Sequence, residues 1–302
     1  MNPLISVVIP VYNKAAFVEA TLKSIADQSY ENFEIIIVND GSTDDSLDCI
    51  EAFFNSTEKK LNYNIISQVN KGLSNARNTG IEHCNGKLVF FLDADDFWHE
   101  EFLKRMVYLF NIYPDTNCFG SRFRRFKNRN DPSKQSKVNS TELIVDFFKT
   151  CRYGPYISQS SFGFKKSLYP TIKYDESIDY AEDIDMYIQL FQTETLAIDH
   201  SELVFVRTHV DGQMTSTDFT KKRIINLDKY ESIAKKNKSL KRFIDFYRYC
   251  FGSDYKALGN IERFKIITKP INPNNLNTKQ KTLLALPPWL LKTIKSTKRI
   301  LS

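Results

Sequence analysis

With 302 residues, 42% hydrophobic and 13% aromatic, the chain carries enough apolar side chains for a full core; this excludes disorder as the default and predicts one large domain plus an appendage. Its five cysteines (Cys49, Cys84, Cys118, Cys151 and Cys250) are odd in number and form no C-x-x-C pair, which argues against a zinc site and a disulfide framework and fits a reducing, cytoplasmic compartment. The net charge of +6 is divided: 20 of the 42 Lys and Arg but only 5 of the 36 Asp and Glu follow Thr220, placing a boundary near 215–220 between an acidic half and a basic one. Met1 to Tyr12 lacks the basic start of a secretory signal, and no run reaches the roughly 18 apolar residues of a membrane span.

The first half alternates strand and helix. Leu4–Val11 is a short β-branched run, and Ala15–Gln28 follows with helical spacing that puts Phe17, Thr21, Leu22 and Ile25 on one face. Phe33–Val38 reads as a second buried strand ending in Asn39-Asp40-Gly41-Ser42-Thr43-Asp44, a tight turn with an N-cap, and a helix continues to Phe54. Tyr63–Ser67 is the third strand, Gly72–Cys84 a helix, and Lys87–Leu92 the fourth strand. Short buried strands separated by helices imply a parallel sheet, and such sheets bind ligands at the carboxyl ends of their strands. The loops at Pro10–Lys14, Asp40–Asp44, Asn70–Arg77 and Asp93–Asp96 should therefore converge on one rim.

The fourth strand runs straight into three carboxylates, Asp93, Asp95 and Asp96. So many like charges call for a cation, and oxygen-only ligands suit Mg²⁺ or Mn²⁺ with open positions for phosphates. The same residues also read as a solvated turn capping a helix that begins near His99. No G-x-G-x-x-G and no Walker pattern follows the first strand. The rim instead offers Tyr12 to stack on a base, Asp40 to accept from a base imide or ribose, and Arg77 to reach a diphosphate. Each also has a plain structural role open to it: a core-edge aromatic, an N-cap and a solvated charge.

Together these segments resemble a known family. Val8-Ile9-Pro10-Val11-Tyr12-Asn13, Ile37 to Asp44, Gly72 to Gly80 and Phe91 to Asp96 look like the signature of family 2 inverting glycosyltransferases with the A-type fold, four motifs in order over about the first hundred residues. The resemblance weakens between about Asn117 and Tyr174 and is slight after 220. It implies a Rossmann-like α/β fold with a mostly parallel central sheet over residues 1–218, and a basic helical C-terminal region over 219–302. By resemblance, Pro10, Tyr12, Asn13, Asp40, Arg77, Asp93 and Asp95 would bind the nucleotide-diphosphate sugar, with Asp95 the principal ligand of Mn²⁺ or Mg²⁺, helped by Asp93 or Asp96, and with His209 of an Arg-x-His stretch near the metal or the diphosphate. Tyr180-Ala181-Glu182-Asp183 resembles the family's Glu-Asp motif, making Asp183 the base and Glu182 an acceptor-positioning neighbour. Acidic residues also favour a helix N-terminus without any catalytic part.

Other segments bear on the acceptor and the setting. Ile157–Phe164 has strand character with small polar residues suited to a sugar, or is an ordinary edge strand. The basic stretch Arg122–Lys137 could meet an anionic acceptor or simply be a solvated loop. Phe219–Lys236 and Leu240–Leu258 are helix-like. Residues 283–302 set an apolar face and Trp289 beside Lys292, Lys295, Lys298 and Arg299, the pattern of an in-plane membrane anchor or of a helix docked on its own domain. No nucleic-acid motif accompanies the positive charge. The expectation is a metal-dependent, inverting transferase adding a single sugar from a UDP-linked donor to a glycan or lipid-linked saccharide during cell-surface polysaccharide synthesis, cytoplasmic or peripheral on the inner face of the membrane. The Gln-x-x-Arg-Trp motif of the family's processive synthases is missing. A sugar nucleotidyltransferase, or a non-catalytic nucleotide-sugar or glycan-binding module, would share part of this pattern.

Overall fold

The structure is a computed structural model that describes residues 1–127, 140–208 and 221–301. In chain order its elements begin with β1 (Ile5–Val11), α1 (Val18–Ala26), β2 (Phe33–Asp40), α2 (Ser46–Ser56), β3 (Tyr63–Gln68), α3 (Leu73–Glu82) and β4 (Leu88–Phe91). There follow β5 (Phe97–Trp98), α4 (Phe102–Ile112), β6 (Cys118–Phe126), β7 (Thr141–Ile144), α5 (Phe147–Thr150), β8 (Phe162–Lys165), α6 (Glu182–Leu190) and β9 (Leu196–Arg207). The last stretch is helical: α7 (Glu231–Ala234), α8 (Lys238–Ala257), α9 (Ile261–Thr268), α10 (Thr278–Ala285) and α11 (Pro288–Leu301). Two compact units result, one made of Met1–Val145 with Tyr156–Ile225, the other of Asp146–Pro155 with Asn226–Ser302.

The first unit is built on one sheet in the order β3-β2-β1-β4-β8-β6-β9-β5, with β7 paired to β9. Strands β1 to β4 are parallel, as the alternation of strand and helix predicts. Every residue of β1 is buried, which explains why apolar residues occupy both faces of this strand. On one face Val7, Ile9, Ile35, Ile37 and Phe90 pack with Leu22 and Ile25 of α1 and with Phe102 and Met106 of α4. Each such fully buried side chain is worth about 1.5–3 kcal/mol. On the other face α3 lies so close to β1 that a Cβ on Gly80 would collide with the side chain of Val8.

Beyond β4 the sheet changes character, because β8 enters antiparallel to both β4 and β6. The segment Ile157–Phe164 is thus not an edge strand. It is a 3-10 turn at Gln159–Ser161 leading into an interior strand that starts at Phe162. The helix expected near His99 begins at Phe102, since Phe97 and Trp98 are drawn into pairing with Phe205 and Val204 of β9. Arg122 to Phe126, read as the start of a basic loop, belong to β6; residues 128–137 of that loop lie outside the described residues.

In the second unit α8 is the central element. Phe147 and Phe148 of α5 meet Phe243 with ring centroids 6.2 and 5.3 Å apart. Arg248, 1% exposed, pairs with Asp228 at 2.5 Å and with Glu231, beside the fully buried Asp245. Asn237, Asn260 and Asn277 cap α8, α9 and α10 by accepting backbone N–H bonds from the third helical residue. The long helix expected over Phe219–Lys236 is instead a 3-10 turn at Leu227–Tyr230 running into α7, and residues 209–220 lie outside the described residues. In the tail, Leu291 is buried and Lys295 bonds Ser253 at 2.6 Å and pairs with Asp254, while Trp289 is 69% exposed. Among the described residues no helix is long and apolar enough to cross a membrane.

Candidate active site

Side-chain hydrogen bonds stitch the carboxyl ends of β1 to β4 into one rim. Past β1, Asn13 sits at φ +52°, a left-handed conformation that Asn tolerates. Its Oδ1 accepts the Thr43 N–H at 2.8 Å and its own N–H donates to Ser42 Oγ at 3.1 Å, tying the first loop to the second. Asp40, the last residue of β2, accepts the N–H groups of Lys71 and Gly72, both at 2.9 Å, and Gln68 Nε2 at 2.7 Å. Gly72 is held at φ +91°, which favours glycine there. Lys14 Nζ crosses to Asp95 at 2.7 Å and joins the first loop to the fourth. Tyr12 stands 47% exposed at this rim, whereas Pro10 is buried within β1 opposite Val38.

The three aspartates of the acidic loop have different surroundings. Asp93 keeps a third of its side chain exposed and accepts from Arg77 at 2.9 Å. Asp95 faces Lys14. Asp96 turns into the fold, where its Oδ2 accepts from Ser160 Oγ at 2.6 Å and its Oδ1 from the Arg207 N–H at 2.9 Å. Burial, with Asp95 and Asp93 nearby, raises the Asp96 pKa well above the usual carboxylate range. Arg207 also donates from Nε to the Asp95 carbonyl at 3.0 Å, with its guanidinium against the rings of Phe126 and Phe17. Ser160 further accepts the Asp93 N–H at 3.2 Å, so the turn before β8 braces the acidic loop from beneath.

Across the rim α6 presents the Glu-Asp pair. Ala181, immediately before it, has φ +65°, a conformation costly for a residue with a Cβ and concentrated at functional sites. Glu182, 7% exposed, accepts from Arg77 at 2.7 Å. Asp183 retains part of its surface to solvent and accepts the Ile184 N–H at 2.8 Å. Burial first and the neighbouring Glu182 second push the Asp183 pKa up to about 7, against the opposing pull of Arg77. A carboxylate poised there can take a proton near neutral pH.

The structure thus gathers Tyr12, Asn13, Asp40, Arg77, Asp93, Asp95, Asp96, Glu182 and Asp183 at one end of the sheet or directly beneath it. His209 lies outside the described residues. Among the described residues no group of three or more His, Cys, Asp or Glu is arranged to hold a metal ion. A hard cation here would have one carboxylate to meet, that of Asp95 beside its bond to Lys14, and would need phosphate and water oxygens to complete its shell. The inward bonds of Asp96 commit it to bracing the loop. Sequence reasoning missed Lys14, Ser160 and Tyr174. The first two are ordinary polar residues whose partners lie 81 and 64 positions away.

The family model described as glycosyl transferase family 2 matches residues 6–172, more than half of the chain. The chain belongs to that family. An uncharacterised glycosyltransferase of Rickettsia bellii is 29% identical over 69% of this chain, which spans only 29% of that relative's length. Among solved structures, S. aureus TarS in complex with UDP-GlcNAc matches with a TM-score of 0.67 at 18% identity, covering 93% of this chain and 86% of that one. The Pyrobaculum calidifontis mannosyltransferase in complex with GDP-Man and Mn²⁺ matches at 0.56 and 16% identity, covering all of this chain and 81% of that one. These likenesses establish the family's α/β fold around a central sheet, as the sequence motifs implied.

Proposed function

We propose that this family 2 protein is an inverting glycosyltransferase that moves one sugar from a nucleotide-diphosphate donor, UDP-linked, to a hydroxyl of a glycan or lipid-linked saccharide in cell-surface polysaccharide synthesis. The observation that carries the reading is Asp183: a partly exposed carboxylate with a pKa of about 7 at the head of α6, joined through Glu182, Arg77 and Asp93 to the acidic loop. Tyr12 would pack on the base and Asp40 would shape the nucleoside pocket through its hold on Lys71 and Gly72. As the acceptor oxygen bonds to the anomeric carbon from the face opposite the diphosphate, its proton passes to Asp183. The bond from that carbon to the diphosphate oxygen breaks, and the leaving group keeps the electron pair. Lys14 holds a positive charge beside the place where the diphosphate would lie. When bound at Asp95, Mn²⁺ or Mg²⁺ would neutralise charge on the departing diphosphate.

A UDP donor is favoured by the likeness to TarS, and a metal by the acidic loop and the likeness to the mannosyltransferase with GDP-Man and Mn²⁺. Exposed Trp289 and the basic residues of the tail support a peripheral contact with the inner membrane face. Calorimetric titration with UDP and GDP, each with and without Mn²⁺, tests the donor site. We expect metal-dependent UDP binding that weakens about tenfold or more in Asp95→Ala, on the scale of a lost charge-assisted contact. Preference for GDP would overturn the donor class, and binding of neither nucleotide would overturn the transferase reading of the rim.

A further inference from the structure

Arg77 is the side chain on which both rims of the site converge. Its Nη1 donates to Glu182 Oε1 at 2.7 Å and its Nη2 to Asp93 Oδ1 at 2.9 Å. The residue is 1% exposed, and the Tyr174 ring covers it with its centroid 5.2 Å from Cζ. Tyr174 is fixed in turn by a two-way bond between its backbone and the side chain of Asn78, the residue next to the arginine on α3. Neither Arg77 Nε nor Tyr174 Oη, both buried, has a hydrogen-bond partner, so the ring serves as a lid over the cation and not as a polar partner. An anion reaching this buried guanidinium would compete with both carboxylates, and displacing Glu182, 7% exposed, would leave that charge buried and unpaired, which is strongly unfavourable.

We propose that Arg77 is a positioning residue for the base and not a contact to the donor diphosphate: its guanidinium fork holds Asp93 of the acidic loop and Glu182 of α6 together and thereby fixes Asp183 relative to the donor. This rests on the transferase reading of the site. A guanidinium suits the task because it presents several donors in a rigid plane to two acceptors at once, which the point charge of a lysine does not. The charged and titratable groups around Asp183 are Glu182 on its own helix, Arg77 on α3, Asp93 on the acidic loop and Tyr174 before α6, with Lys222 acting on Glu182. Removing the arginine's charge and removing the glutamate's charge should therefore move the base in opposite directions.

The test uses the full chain with Arg77→Lys, Arg77→Gln and the near-isosteric Glu182→Gln, titrated with UDP and with uridine and assayed for slow hydrolysis of UDP-GlcNAc. Should the wild type prefer GDP, GDP, guanosine and GDP-mannose take their places. In hydrolysis water replaces the acceptor: its oxygen bonds to the anomeric carbon as the bond from that carbon to the diphosphate oxygen breaks, the nucleoside diphosphate leaves with the electron pair, and the water proton passes to Asp183. For Arg77→Lys we expect UDP and uridine affinities to change in parallel, within about threefold, while the rate falls about a hundredfold from misplacement of the base. The acid limb of the rate profile should move up by about one pH unit in Arg77→Gln and down by a similar amount in Glu182→Gln. A loss of UDP affinity of about tenfold or more with uridine unaffected would place Arg77 on the diphosphate and overturn the proposal. Limbs that stay put, or move the same way in both variants, would also overturn it. Because Glu182→Gln preserves shape, its profile remains a test even where Arg77→Gln does not fold. A wild type that binds neither nucleotide would instead count against the transferase reading itself.

Discussion

Asp183 is costly for the fold to carry charged, and under the proposed function that cost would suit it to take a proton. Its pKa lies above that of an unfolded aspartate, so the folded state binds the extra proton between the ordinary carboxylate range and about pH 7. Its contribution to stability is complete below that window and is lost as pH rises through it. Asp183→Asn should therefore melt no lower than the wild type at pH 8 while UDP affinity stays within about twofold and transfer falls by 10²–10⁴, roughly the range for a lost general base. The acid limb of wild-type kcat/KM should stand near pH 7. Transfer that survived in the variant, or a limb near the ordinary carboxylate value, would remove Asp183 from its role. At this scale the sequence showed which residues cluster, because carboxylates crowd at a strand end and a helix start. It did not show how they pair: Arg77 reads as a solvated charge along its own helix, and its burial depends on Asp93 and Glu182, which lie 16 and 105 positions away.

Among elements, β8 was the least legible, although the turn before it braces the acidic loop. Local periodicity suffices for β1 to β4, since each strand and helix alternates within a short span. The insertion of β8 between β4 and β6 depends on antiparallel pairings with Leu88–Phe90 and Cys118–Gly120, which no local pattern encodes. Gly163 marks the closeness of that pairing, for a Cβ there would stand 2.5 Å from the Val89 carbonyl oxygen and overlap the Phe90 ring. Gly163→Ala should destabilise the chain by about 1–3 kcal/mol, the usual range for overpacking, read as a lowered denaturation midpoint with unchanged slope. Since the turn before β8 carries Ser160 under Asp93 and Asp96, the same change should weaken UDP binding. A variant as stable as the wild type would show that β8 has room to shift.

For the whole molecule, the uneven charge visible in the sequence falls largely on the helical unit. Leu291 is buried and Lys295 bonds Ser253 and pairs with Asp254, which seats α11 on its own unit, while Trp289 and Ile294 stay exposed, so the proposed membrane contact would fall to the exposed Trp289. Sedimentation with vesicles rich in phosphatidylglycerol should carry the protein down at low salt, release it at about 1 M salt, where screening is short-ranged, and leave phosphatidylcholine vesicles bare. Trp289→Ala should weaken this capture. Equal capture by both lipids, or by neither, would refute an anionic membrane surface as the partner. The path of the chain between its units has a further effect. The polypeptide leaves the sheet after β7, lends Phe147 and Phe148 to the helical unit, and returns at Tyr156 to build β8 and α6. Shortening the protein at Ile225 would therefore strand two aromatic rings whose seat on Phe243 had been cut away, in the middle of a chain still meant to fold. Evolution or engineering that trades one C-terminal region for another must exchange an internal decapeptide with it, which ties the catalytic unit to its helical companion more firmly than a terminal fusion would.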